Sequence, residues 1–194
     1  MKSSYRFAAL LATVALAVGA TTAFAHDGGG HRGRGHGHRH GGEILRSALV
    51  GSTPTAKGGP TLFGVAPGGA PWTIGSSEAR VRANRVRVRG EGLLLVNTGN
   101  PALDGTTGPV QMVAAAVFCN GSDTPAFTSA AVPLEPDGDF RVDQDLTTPL
   151  PSPCLAPAVL VRIAQANGAP VANGPYIAAN GGNAPAAAAA NDDD

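Results

Sequence analysis

Five histidines, His26, His31, His36, His38 and His40, are the first residues whose type and spacing could do chemistry. Neutral imidazole suits Cu, Zn and Ni ions, and His-rich tracts are compositionally metal-binding. His36, His38 and His40 alternate along a Gly-rich backbone that can wrap around one ion. No periodic element organises them, so the expected binding is weak and promiscuous. The competing reading is a soluble spacer without a ligand. His26 follows a predicted cleavage site, where its α-amine and imidazole could together chelate copper. Such sites draw a second histidine from the folded core, and this chain has none beyond His40. The same lack excludes a Ser-His-Asp triad, a Cys-His pair and a His-ligated metal centre within the folded region. Cys119 and Cys154 are expected to be joined, which removes a thiolate nucleophile. The chain therefore reads as a non-enzyme, with no cofactor unless Cu, Zn or Ni binds the tail.

Arg80, Arg82, Arg85, Arg87 and Arg89 form the second candidate set. They alternate with Ala79, Val81, Ala83, Val86 and Val88, so a period of two puts the arginines on one face of a hairpin. Guanidinium pairs well with phosphate and carboxylate, which suits an anionic envelope polymer or an acidic protein. The competing and favoured reading is a solvated sheet face neutralised by Glu78, Glu91 and the strand carrying Asp139, Asp143 and Asp145. Cross-strand pairs of opposite charge support a sheet by ~0.2–1 kcal/mol each. No aromatic residue interleaves the arginines, which argues against nucleic acid. Asp137, Asp139, Asp143 and Asp145 could ligate Ca²⁺ or supply a carboxylate pair for glycoside hydrolysis. Alternation lines these carboxylates in a row instead of around one point, so charge on an edge strand is the better reading. No phosphate loop, dinucleotide glycine motif or zinc cysteine pair is present.

The elements that must hold these residues begin after an export signal. Lys2 and Arg6 precede an apolar run, FAALLATVALAVGA, too short to span a bilayer comfortably. Ala23 and Ala25 then fit a cleavage site, so 1–25 reads as a signal peptide cut before His26. The product would be secreted or held in the cell envelope, with no transmembrane segment left after cleavage. Two cysteines in an exported chain predict a Cys119–Cys154 disulfide, worth about 4 kcal/mol in the chain-entropy account. Basic and acidic residues number 14 each. Removing Lys2 and Arg6 leaves a slight acidic excess, with no global attraction to nucleic acid or membrane.

The pattern predicts a His/Gly-rich flexible tail over 26–43, one β domain over 44–182 and a disordered Ala/Asp tail over 183–194. Glycine (27) and proline (16) are frequent enough to require many turns and few long helices. Candidate strands are 44–50, 61–65, 71–74, 78–83, 85–89, 92–96, 110–119, 126–134, 139–146, 158–166 and 175–179. Residues 78–89 should form a hairpin turning at Asn84, which tolerates positive φ. Leu93–Val96, apolar on both faces, reads as a more central strand. Phe140, Val142 and Leu146 should face inward. Trp72 and Tyr176 read as core or edge anchors. The alanines of 110–119 allow a helix, but its valines and sharp bounds favour a strand. The fold class is all-β, an antiparallel β-sandwich (Ig-like or Greek-key) of about eight to ten short strands.

The segments PGGAPWTIG, RVRVRGEGLLL, VAAAVFC, DFRVDQDL, PCLAPAVLVRIA and YIAANG together resemble a family of small uncharacterised secreted bacterial β-rich proteins with one disulfide. The resemblance covers roughly 60–181, leaves out the histidine tail and implies no function. The expected function is a non-catalytic secreted or envelope binding or structural module. The alternative is a secreted Cu, Zn or Ni binder acting through its tail, and more remotely a copper enzyme using His26. The tail reading predicts tight, stoichiometric Cu²⁺ binding by protein beginning at His26, lost in protein beginning at Glu43. Calorimetric titration of Cu²⁺, Zn²⁺ and Ni²⁺ checks it, and weak heats in both forms would reject it.

Overall fold

The structure is a computed structural model that describes residues 42–54 and 60–180. The expected signal peptide 1–25, all five histidines and the tail 183–194 lie outside the described residues. The first ordered strand, β1 (Glu43–Ser47), starts one residue inside the expected tail. The remaining strands are β2 (Val50–Gly51), β3 (Trp72–Thr73), β4 (Ser76–Arg82), β5 (Arg85–Glu91), β6 (Leu94–Leu95) and β7 (Val110–Phe118). Then follow β8 (Phe127–Thr128), β9 (Val132–Pro133), β10 (Phe140–Asp145), β11 (Ala158–Ala166), β12 (Ala169–Pro170) and β13 (Tyr176–Ala179). The fold is all-β, and the described residues contain no helix long and apolar enough to cross a membrane.

The strands form an antiparallel sandwich. One sheet has the order β1-β4-β5-β10, and the other runs β2-β13-β11-β7-β8 with β12 on β11 and β9 on β7. Ala79, Val81, Val86, Val88 and Val142 from the first sheet pack with Val113, Ala115, Val117, Val159 and Val161 from the second in one buried core. These are the alternate positions of each strand, as a half-buried sheet requires. The β4–β5 hairpin has the expected pairing, from Ser76 opposite Glu91 to Arg82 opposite Arg85. Gly90 opposes Phe140 across β5 and β10. A Cβ at Gly90 would lie 2.4 Å from the Phe140 ring, so this glycine makes room for the ring.

Strands β7 and β11 are buried on both faces. Opposite the main core, Ala116, Phe118, Ala158, Leu160, Tyr176 and Ala179 form a second cluster, covered by Leu62, Phe63 and Val65. That double burial explains why 113–118 is apolar without alternation, and it resolves the helix-or-strand ambiguity in favour of the strand.

Several local expectations are revised. Residues 61–65 form a turn closed by a Leu62–Val65 bridge, not a strand. Its backbone hydrogen bonds are satisfied within the turn, in both directions at 2.9 Å. The predicted strand 126–134 contains only the short pieces β8 and β9. The run 93–96 is not central: only Leu94 and Leu95 pair, with Thr73 and Trp72. Leu93 is fully buried through side-chain packing, so hydrophobicity there reflects the core and not a ladder. Asn84 is not among the residues with positive φ. The turn is instead fixed from outside, because Ala83 and Asn84 carbonyls accept the Leu150 and Leu146 amides.

Cys119 and Cys154 are bonded, with Cα atoms 4.9 Å apart and a sequence separation of 35. Asn120 doubles the tie: its amide donates to the Leu155 carbonyl, and its side-chain carbonyl accepts the Leu155 amide. The bridge thus fastens the Pro-rich 149–157 connection beside the end of β7. Replacing both cysteines by alanine is expected to lower stability by about 2–4 kcal/mol without changing the fold. Urea unfolding against the oxidised parent protein measures this.

Candidate functional site

The outer face of the four-stranded sheet carries Arg46, Arg80, Arg82, Arg85, Arg87, Arg89 and Arg141. Four strands, β1, β4, β5 and β10, bring the expected five arginines and two more to one surface. Each faces out because its neighbours in sequence, such as Val81, Val86 and Val88, are buried beneath. Adjacent strands lie about 4.8 Å apart and alternate residues about 7 Å apart along a strand, so the guanidiniums form a two-dimensional array.

The expected neutralisation is present but incomplete. Glu78 accepts from Arg46 at 3.1 Å, Arg80 at 2.7 Å and Arg89 at 3.2 Å. Asp143 meets Arg85 at 2.7 Å, Arg87 at 3.1 Å and Arg141 at 3.5 Å. Asp145 adds a second contact to Arg85 at 3.2 Å. Three carboxylates therefore serve six arginines, and among the described residues Arg82 has no ion-pair partner. Glu91 bonds Ser76 at 2.7 Å, and Asp139 accepts the Gly92 amide at 3.1 Å. Neither neutralises the array. The cross-strand register also sets arginine opposite arginine: Arg46 with Arg80, Arg80 with Arg87, Arg82 with Arg85, and Arg141 with Arg89. Like charges directly opposite one another destabilise a sheet.

A narrow groove of about 100 Å³ on this face is lined by Arg80, Arg82, Arg85 and Arg87. Beside it, a groove of about 250 Å³ is lined by Arg80, Arg87, Arg89 and Arg141 together with Glu78 and Asp143. Chemically this surface can bind anions by charge and hydrogen bonding. Among the described residues, no group of three or more His, Cys, Asp or Glu side chains converges as a metal-ligand set. Asp137, Asp139, Asp143 and Asp145 are accordingly not gathered around one point.

One charged residue escaped the sequence reading. Arg162 lies within β11 and is buried, 9% exposed. Its Nε donates to the Gly174 carbonyl at 2.8 Å, and burial pushes its pKa down. The available signal was an arginine directly after the wholly apolar run Ala158–Val161, a charge in a strand buried on both faces. Tyr176, read as an anchor, is buried and donates its hydroxyl to the Pro60 carbonyl at 2.9 Å. Burial raises its phenol pKa. Trp72 is likewise buried in the main core.

Comparison with models of known protein families, with curated proteins and with solved structures finds no match.

The carboxylates tie that surface to pH. For Asp143, partial burial raises the pKa, but hydrogen bonds and charge from Arg85 and Arg87 outweigh it and hold the carboxyl below its usual range. The hydrogen bond from Arg80, helped by the charges of Arg80, Arg46 and Arg89 against desolvation, does the same for Glu78. Both groups are ionised more easily folded than unfolded. Their stabilisation is complete above the unfolded pKa values, about 3.9 for Asp and 4.3 for Glu, and disappears as pH falls through the lower folded values. Thermal melting across the acid range should show this loss, and Asp143→Asn should flatten it.

Proposed function

We propose that this protein is a non-catalytic, exported binding module whose arginine face docks on an anionic polymer of the cell envelope. The observation that carries the reading is the groove lined by Arg80, Arg82, Arg85 and Arg87, where, among the described residues, Arg82 makes no ion pair although Glu43 lies across from it in the register. Stability alone gives a poor account of that arrangement. Exposed ion pairs contribute about 0–1 kcal/mol each, and the four arginine-on-arginine pairs of the register offset its acid–arginine pairs, Glu43 with Arg82, Glu78 with Arg89, Asp143 with Arg87 and Asp145 with Arg85. A polymer with closely spaced carboxylates or phosphates would reverse the sign of that repulsion. The disulfide and the export signal read from the sequence support an extracellular or envelope setting. The lack of aromatic platforms between the arginines disfavours single-stranded nucleic acid.

Sedimentation with polygalacturonate and polyphosphate tests the reading. Binding is expected at low ionic strength and should weaken steeply as salt shortens the Debye length from about 30 Å at 0.01 M to 8 Å at 0.15 M. The combined variant Arg80→Gln, Arg82→Gln and Arg87→Gln should lose at least ten-fold in affinity while its urea midpoint holds or rises. Unchanged binding in that variant would reject the face as the docking surface.

A further inference from the structure

Arg162 sits on the opposite side of the sandwich from the arginine array. It shares the outer face of β11 with Ala158 and Leu160, and its cross-strand neighbours are Ala114 and Tyr176. A guanidinium offers five N–H donors. One is used by Gly174, and the contacts among the described residues include no other acceptor and no carboxylate within ion-pair range. The residue is nine-tenths buried, yet its terminal nitrogens are not sealed off: among the described residues Ser52 Oγ is the one fully buried side-chain polar atom without a partner. Arg162 opens onto a cleft of about 580 Å³ walled by Phe63, Val65, Pro125 and Pro175, with Asp123 also on its lining.

The cleft is built under constraint. Phe63 and Asn173 on its lining hold φ of +50° and +51°. For a bulky residue such a backbone costs roughly 1–3 kcal/mol and persists only where its surroundings impose it. Phe63 is held there by stacking on Phe118, with ring centroids 4.9 Å apart. Gly174 is pressed so closely on β11 that a Cβ would meet the Ile163 carbonyl at 2.0 Å. Its own carbonyl is thereby fixed to orient the guanidinium. With Nε held by Gly174, the terminal nitrogens of this permanent charge are left facing the cleft, and arginine does not escape by losing its proton.

We infer that this cleft binds a small zwitterion of the amino-acid or short-peptide kind, its carboxylate on the Arg162 fork and its ammonium towards Asp123. Carboxylate matches the planar guanidinium bidentately. Asp123 sets the second half of the specificity, because its charge repels a phosphate dianion and attracts an ammonium. This surface is separate from the arginine face, so the two proposals stand or fall independently.

The test is nuclear magnetic resonance of the full mature protein, following the Arg162 Nε–H signal and the Phe63 and Asn173 amides. The probes are alanine, alanyl-alanine, acetate and inorganic phosphate. Saturable shifts with alanine or alanyl-alanine, at least ten-fold tighter than with acetate, are expected, and the better of the two defines the ligand's length. Asp123→Asn, at an exposed position, should erase the preference over acetate. Arg162→Lys should abolish saturable binding, because an ammonium lacks the fork. Should that variant fail to fold, Asp123→Asn decides alone. Equal affinity for acetate, a response to phosphate as strong as to the zwitterions, or no saturable shift with any probe would overturn the inference.

Discussion

Strands β7 and β11 pair over nine residues each in the middle of the larger sheet, and both faces of that pair are buried. The second burial comes from the 60–67 segment, whose Leu62, Phe63 and Val65 cover Ala116, Phe118 and Leu160. Small residues make this possible. Ala114, Ala115 and Ala116 keep β7 thin, so a sheet lies against one side and a loop against the other. Larger side chains there would overpack a well-filled core, at about 1–3 kcal/mol each. The edges of the sheet can be short and irregular because this central pair supplies so much of the buried surface.

The same constraint decides what could be read from sequence. Where one face is buried and the other wet, the pattern is self-announcing: Ala79, Val81, Val86 and Val88 alternate with arginines, and the hairpin register follows. Phe140 and Val142 of β10 behave in the same way, with Leu146 packed against the core. Where a segment is buried through loops, apolarity says nothing about pairing. Leu93 is buried without joining a ladder, and Leu62–Val65 is apolar because it roofs a cluster. Asn84 misled for another reason. A turn can be held by donors from a distant segment, here Leu146 and Leu150, and no local residue announces that. The arginine face was legible as a stripe, but its charge balance was not. Counting nearby acids suggested neutrality, whereas the register shares three carboxylates among six arginines and sets four arginine pairs side by side.

Arg162 was hidden by the same kind of limit. A single charge beside an apolar run is visible, but whether it meets a carboxylate depends on which loops close over it. Its environment is made by residues 63–66, 123–125 and 173–175, three separated segments that no short window connects. Burial of β11 was predictable, and the fate of the charge within it was not.

The two outer faces of the sandwich therefore treat positive charge in opposite ways. On the smaller sheet guanidiniums are numerous, exposed and screened by water and shared carboxylates. A surface of that kind responds to charge density and spacing along a partner more than to its shape. On the larger sheet one guanidinium is withdrawn between apolar walls, where the lower effective dielectric makes each Coulombic contact stronger. Its orientation is set by a single carbonyl, that of Gly174, and its four remaining N–H groups point in a fixed plane. Such a site discriminates by geometry. Bidentate fit to a planar anion, with Asp123 setting the charge of what lies beside it, is the form of recognition that a solvated array cannot provide.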